Sequence, residues 1–581
     1  MASFHILDHQ SQKMDEKAQP HPIEQELSAS STGLQTDSIG FDDEHLALMS
    51  NLVPNLSDMI KRARRAALFE HQMTNLTAFK LYPKAIFFSF IFSLAIVMDG
   101  YDTSLLSSLY AYPEFQRRFG EKLVNGTYSI TSSWQSGLQN GTQAGQILGL
   151  MFAGAIADRF GYRRTMFTAL TLVIGFVFVL FFATNVQMLF AGEFLCGLPW
   201  GMFQILTTTY AADVSPVVLK PYLTTYVNLC WVTGQFISAG VLRGFLSRPD
   251  EWAWRIPYAI QWAWPIPILV GVSFAPESPW WLVRHGREEE ARRSLLRLSS
   301  ATARADSGYD VDDAIALIIL TDAQEKVVRR GTSYLDCFKG VDLRRTEITC
   351  CVWMIQVFCG ISFAGNVTYF LQQVGFDNNQ SFSFGLGVNG IAWIGTISSW
   401  LVMQRVGRRS LYVYGLGVML IVLTMIGFLA IPTNTPAINY ASVALMMIYV
   451  FAYDITVGPV GYCLVSEIPS TRLRIKTATL ARNAYNLSSI GANFLNPPIL
   501  NPTAWNLKGK GGFIWAGLCL LCFAWSLLRL PEPKGRTPAE IDVLFDRKIS
   551  ARHFASVPVD LFRSASYCLT MERSRSEKSS H

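Results

Sequence analysis

The stretch ADRFGYRR (157–164) returns later in the chain as QRVGRR (404–409), a short arginine-flanked turn at a glycine between two apolar runs. Two further pairs keep the same order. ADVSPVVLK (212–220) is echoed by SEIPSTRLRIK (466–476), and PESPWWLVRHGR (276–287) by PEPKGR (531–536). Echoes at a nearly constant offset of about 250 residues mean that one pattern has been built twice.

The repeated unit is a set of membrane spans. Of 581 residues, 50% are hydrophobic and only 16% charged, with a mean hydropathy of +0.25. That is too apolar for a soluble domain of this size. About twelve apolar runs, each near the ~20 residues that cross ~30 Å of hydrocarbon, recur along the chain. They centre near Ile91, Leu148, Val173, Leu198, Val232, Ile266, Val357, Trp393, Leu420, Ile448, Ser489 and Leu520. An all-α membrane protein of two six-helix halves is therefore expected. No basic-then-apolar secretory signal precedes the first run, which is expected to act as its own signal.

Basic residues set the orientation. Arg159, Arg163 and Arg164 follow span 2, and Arg405, Arg408 and Arg409 follow span 8; many more lie between spans 6 and 7. All these connections fall on one side, which the positive-inside rule makes cytoplasmic. Both termini are expected there too. The excess of +6 is explained by this topology, so nucleic acid is not an expected partner. Expected boundaries are a disordered segment over 1–80, the first bundle over 81–275, a helical cytoplasmic loop over 276–345, the second bundle over 346–530 and a tail over 531–581. Within the first segment, 57–73 has the pattern of an amphipathic surface helix.

Most of the ten cysteines lie in apolar runs, where the small side chain itself is the ordinary reason. No disulfide, metal site or cofactor is expected. GLGVNG (385–390) has the spacing of a dinucleotide loop but lies inside a span with no strand before it. There is no HExxH, P-loop or GxSxG arrangement, so nothing points to an enzyme. Asn125, in NGT after span 1, is the expected glycosylation site.

GAIADRFGYRR (154–164) resembles the loop signature of major facilitator transporters, and PESPWWLVRHGR and PEPKGRTPAEIDVLF (531–545) resemble the paired signatures of sugar porters. MDGYDT (98–103), GLPWG (197–201), YDITVGP (453–459) and ARNAYNL (481–487) are similar to the fungal maltose and α-glucoside permease branch. The resemblance covers about residues 80–555. It implies a plasma-membrane sugar transporter with a monomeric functional unit, its partners being a hexose or α-glucoside disaccharide, a proton and the surrounding lipid.

Charged groups at a bilayer centre cost ~2.5–3.5 kcal/mol, so those present should face the bundle interior. Asp99 and Asp102 share one face of span 1 at i and i+3. Two such carboxylates cannot both ionise cheaply, and at least one is expected to bind a proton reversibly, opposed by Arg482 on span 11. The resemblance likewise implicates Asp99, Asp102 and Arg482 in proton coupling. Two residues depart from pattern: Gln146 stands where related permeases carry glutamate, and Glu193 where sugar porters carry arginine. Because Gln146 cannot titrate, uncoupled facilitation or export stays open, as does a sensor that binds sugar without moving it.

Polar residues at helical spacing form stripes on several spans. Span 11 carries Arg482, Asn486, Ser489 and Asn493; span 5 carries Asn228 and Gln235; span 8 carries Asn389 and Trp393. Amides and flat aromatic faces suit a sugar's hydroxyls and C–H surfaces. The expected sugar contacts are Asn228, Asn389, Trp393 and Asn486, and, by the resemblance, Gln235, Gln356 and Tyr462. On the cytoplasmic side Asp158, Arg159 and Arg163 in one half, with Glu467, Arg472 and Arg408 in the other, are expected to form gating ion pairs.

Overall fold

The computed structural model describes residues 53–123, 126–329, 333–432, 435–470, 473–534, 536, 538–554 and 557. Two surface helices, α1 (Leu56–Gln72) and α2 (Asn75–Leu81), lead into the first half. That half comprises α3 (Pro83–Leu109), a short α4 (Pro113–Phe119), α5 (Ser132–Phe160), α6 (Tyr162–Phe181), α7 (Val186–Val214) and α8 (Lys220–Phe245). Its sixth span is split into α9 (Trp252–Ile260) and α10 (Pro265–Phe274). Helices α11 (Pro279–Arg284), α12 (Glu288–Leu298), α13 (Ala301–Ser307) and α14 (Val311–Arg329) form the central connection.

The second half begins with α15 (Gly340–Phe358), which breaks at Gly360 and continues as α16 (Ile361–Ala364) and α17 (Val367–Val374). Gly360 adopts φ 106°, a left-handed conformation that a residue with a Cβ rarely takes. Next come α18 (Asn378–Arg405), α19 (Arg408–Leu429), α20 (Pro436–Ile455), α21 (Val457–Glu467), α22 (Arg474–Leu500) and α23 (Gly511–Arg529), and the surface helix α24 (Pro538–Asp546). Every predicted run falls in one of these helices.

Eight of the described helical segments combine the length and apolarity of a membrane span. The runs on α5, α8, α9–α10 and α22 fall short of that measure for physical reasons. Three carry polar side chains at helical spacing: Gln135, Gln139, Thr142 and Gln146 on α5, Asn228 and Gln235 on α8, and Asn486 and Asn493 on α22. The sixth span is interrupted ahead of Pro265, a residue with no backbone N–H to continue a helix. Three of these four runs meet the other half: α5 packs on α22, and α8 on α18, itself one of the eight.

Close packing inside the first half depends on missing side chains. Gly145 and Gly149 of α5 face Gly197 and Gly201 of α7, and a Cβ added at any of the four would run into the opposing backbone. GQILG and GLPWG are both small-xxx-small patterns, which let helices approach where lipid supplies no hydrophobic drive.

The connection helices are fastened to the first half. Trp281 Nε1 donates to the Asp158 carbonyl (2.9 Å), Ser278 Oγ donates to Asp213 Oδ2 (2.6 Å), and Arg65 on α1 pairs with Asp313 on α14 (2.9 Å). At the opposite face the two halves touch directly. Asn501 Nδ2 donates to the Ile130 carbonyl (2.7 Å), Gln372 Nε2 to the Ala111 carbonyl (3.2 Å), and Tyr112 meets Phe382 edge-on at 5.5 Å. One such hydrogen bond is worth about 0.5–1.5 kcal/mol net. Asn501→Ala is therefore expected to shift the molecule toward opening at this face by about two- to tenfold. Distances between spin labels at the exposed positions Tyr128 and Trp505 read the shift; an unchanged distribution would show that Asn501 does not hold this face shut.

Candidate functional site

A cavity of about 240 Å³ lies between the halves. The first half contributes Asp102, Ser104 and Ser107 from α3, Gln139 and Thr142 from α5, Glu193 from α7, and Asn228, Trp231 and Gln235 from α8. Facing them are Gln356 from α15, Asn366 before α17, Asn389 from α18, Tyr453 and Asp454 from α20, Tyr462 from α21, and Tyr485, Ser489 and Asn493 from α22. The wall is thus made of amides, hydroxyls and aromatic rings, with three carboxyl groups set into it. Two helix breaks open it: α15 stops before Gly360, and α20 stops at Ile455, one residue ahead of α21.

Of the expected sugar contacts, Gln235, Gln356, Asn389, Tyr462 and Asn228 line this cavity. Gln356 also has a structural task, since its Nε2 donates to the carbonyls of Val457 (3.2 Å) and Gly458 (2.9 Å). These are first-turn carbonyls of α21, so the amide ties α15 to the start of α21 beside the α20–α21 break. Asn389 Nδ2 donates to the Gly385 carbonyl one turn back (2.9 Å). Trp393 and Asn486 are placed elsewhere. Trp393 is 38% exposed and gives its indole N–H to Thr233 Oγ1 (3.1 Å) where α8 meets α18. Asn486 is fully buried outside the cavity, and both its amide atoms lack a partner.

The acids divide into two groups. Asp99 accepts from Gln146 Nε2 at Oδ1 (3.2 Å) and from Gln204 Nε2 at Oδ2 (3.0 Å). Gln204 Oε1 in turn accepts both Nε (3.1 Å) and Nη2 (2.7 Å) of Arg482. The expected link between span 1 and Arg482 is therefore relayed through an amide instead of formed directly. The guanidinium is stacked between Trp353 (4.7 Å) and Tyr485 (4.6 Å), with Trp231 at 6.0 Å, an arrangement that favours a planar cation.

Asp102 turns the other way. It accepts from Trp200 Nε1 (3.2 Å) and Gln261 Nε2 (2.6 Å), and it makes no hydrogen bond to Arg482. Glu193 accepts from Thr142 Oγ1 (2.9 Å) and Tyr258 OH (3.4 Å). Asp454 accepts from Thr396 Oγ1 (3.4 Å). No sequence signal marks Gln261, a lone amide in QWAW that lies buried on the short turn between α9 and α10.

The expected gating groups sit within their own halves. Arg408 pairs with Glu467 at 3.5 Å. Arg163 donates to the Ser273 carbonyl, and its backbone N–H donates to Glu277 Oε2 (3.2 Å), so it is held by Glu277 and not by Asp158. The Asp158 carbonyl receives Trp281, and Arg159 lies over the Phe160 ring at 5.5 Å. Arg472 and Asn125 lie outside the described residues. Glu277 caps the start of α6 through the N–H groups of Tyr162 and Arg163, and Glu532 caps α19 through those of Arg408 and Arg409. Two glutamates in the echoed PE dipeptides thus do the same work in each half. Burial pushes the Glu277 carboxyl up from its ordinary value, opposed by these N–H donors.

Two helical bundles around a central polar cavity define a transporter of the major facilitator class. A family model described as "Sugar (and other) transporter" matches residues 88–545. A maltose permease of Saccharomyces cerevisiae is 40% identical over 539 residues, covering 90% of this chain and 88% of that protein. A general alpha-glucoside permease from the same yeast is 40% identical over 503 residues, covering 86% and 81%. Among solved structures, the xylose transporter XylE from E. coli in a partially occluded inward open conformation superposes with a TM-score of 0.62 at 20% identity, covering 78% of this chain and 100% of that one. The proton:xylose symporter XylE bound to 6-bromo-6-deoxy-D-glucose gives 0.64 at 21%, covering 80% and 99%. The chain belongs to the sugar transporter family, in the branch of fungal maltose and α-glucoside permeases. It is a multi-pass membrane transporter and not an enzyme.

Proposed function

We propose that this protein imports an α-linked glucoside or a hexose across the plasma membrane together with a proton, by alternating exposure of the central cavity. The observation that carries this reading is the cavity wall: neutral amides, hydroxyls and aromatic rings from both halves, with carboxyl groups among them. Paired donors and acceptors match a polyhydroxylated neutral solute, and buried acids can take and release a proton. The relatives named for maltose and α-glucosides favour the same cargo. In this reading the connection helices and both termini face the cytosol, as the arginine-rich loops require. The contacts around Asn501 then close the outer face.

Cargo enters from outside when the outer contacts part, binds between the halves, and leaves inward when they reform. A second reading, uncoupled facilitation, draws on Gln146, a neutral amide bonded to Asp99. Uptake of labelled maltose, glucose and xylose into vesicles, with and without an imposed proton gradient, decides between them. Maltose accumulation above the external level only with the gradient is expected. Uptake that merely equilibrates in both conditions would favour the facilitator, and no uptake of any sugar would reject both.

A further inference from the structure

The two carboxyl groups contributed to the cavity by the first half, those of Asp102 and Glu193, are held by neutral donors alone. Their four oxygens accept one donor each: an indole N–H from Trp200, an amide N–H from Gln261, and the hydroxyls of Thr142 and Tyr258. Both acids are buried, Asp102 at 1% and Glu193 at 0% exposure. They lie close enough to interact electrostatically. Among the described residues no cation is within hydrogen-bond or ion-pair distance of either one; the Arg482 guanidinium is bonded to Gln204 on the Asp99 side.

The surrounding groups that could alter this balance are few. Tyr101 on α3 and Tyr110 at its end face the pair, as do Cys196 from α7 itself and Tyr258 from α9. Helices α5 and α8 present neutral Thr142, Gln143 and Asn228, and α6 presents Leu180 beside Gly192. Asp99 lies one turn away along α3, with its own two amide donors.

A second feature points to a bound proton. Gln261, itself only 1% exposed, gives its amide N–H to Asp102 while its Oε1 has no donor. An ionised carboxylate offers this acceptor nothing, since it is an acceptor only. A protonated carboxyl carries an O–H donor and removes one of two charges that would otherwise sit together without a counter-ion.

We propose that Glu193 and Asp102 act as a single proton-binding pair in the cavity wall, with Tyr258 and Gln261 as the residues that position it. This rests on the coupled-transport reading above. The step is a transfer of one proton from water at one face to a carboxyl oxygen, and later from that oxygen to water at the other; nothing is oxidised or reduced. Asp99, relayed to Arg482 through Gln204, is a separate site under this assignment.

The test uses the full chain in vesicles with labelled maltose and an entrapped pH dye, comparing the parent protein with Glu193→Gln and Tyr258→Phe. For Glu193→Gln, gradient-driven accumulation is expected to fall at least about tenfold further than maltose exchange does, with loss of the maltose-driven pH signal. Tyr258→Phe removes one hydrogen bond to the pair, so the pH midpoint of uptake should move upward by roughly half a unit. Glu193→Gln that accumulates maltose and moves protons like the parent would overturn the assignment. Should that variant not reach the membrane, an unmoved midpoint in Tyr258→Phe overturns it instead. A parent protein that transports maltose without any proton signal would instead refute the coupled reading itself, and the pair with it.

Discussion

Arg482→Ala is expected to abolish proton-driven sugar accumulation, and Gln204→Leu is expected to do so nearly as completely although it removes no charge. The guanidinium is stacked against Trp353 and Tyr485 and gives two hydrogen bonds to one amide oxygen, and that amide's N–H reaches Asp99. Removing one member of such a buried network leaves the others desolvated without compensation, at a cost of about 3–5 kcal/mol. A loss of about 100-fold or more in accumulation follows for Arg482→Ala. Arg482→Lys keeps the charge but not the planar fork, and should retain only a fraction of transport. The deciding measurement is gradient-driven uptake normalised to protein in the membrane. Gln204→Leu transporting like the parent would show that Asp99 and Arg482 communicate by some route other than this amide.

The second large effect concerns assembly. Gly145→Leu in α5 is expected to prevent the first half from packing, because its new side chain would meet the Phe194 carbonyl and Gly197 on α7. Overpacking of this kind costs about 1–3 kcal/mol where neighbours can yield, and here the neighbour is backbone, which cannot. Gly154→Leu, nine residues further along the same helix, is the matched control, since nothing lies within 4 Å of its added Cβ. Thermal unfolding in detergent should show the first variant aggregated or strongly destabilised and the second close to the parent. Equal behaviour of the two would mean that the α5–α7 approach is looser than the structure has it.

The glycines illustrate how far the chain could be read alone. GQILG and GLPWG are visible as spacing, but that they face each other depends on where α5 and α7 cross. The polar stripes behave likewise. Helical periodicity correctly groups Asn389 with Trp393, and Arg482 with Asn486, on single faces. Yet within each pair one member lines the cavity or its acid network, and the other points to a neighbouring helix or is sealed from it. A stripe is broad compared with a cavity, and a small rotation of the helix decides which edge is wet. The relay through Gln204 was hidden for a related reason: opposite charges suggest a direct pair, whereas side-chain reach and helix separation determine whether an amide must intervene.

What the amino-acid sequence determined by itself was everything governed by partition between water and lipid or by duplication: the spans, the doubled six-helix pattern, and the family. The echo of the two PE dipeptides was legible as a repeat, but that Glu277 and Glu532 each cap a helix start comes from the structure. Only the tertiary structure decided which acids share a wall, which amides are already committed to helix breaks, and where Arg482 is bonded. Hydrophobicity and periodicity act within one segment and can be summed along the chain. Contacts between segments depend on crossing angles and rotations that no single segment encodes, and the chemistry of this transporter is made almost wholly of such contacts.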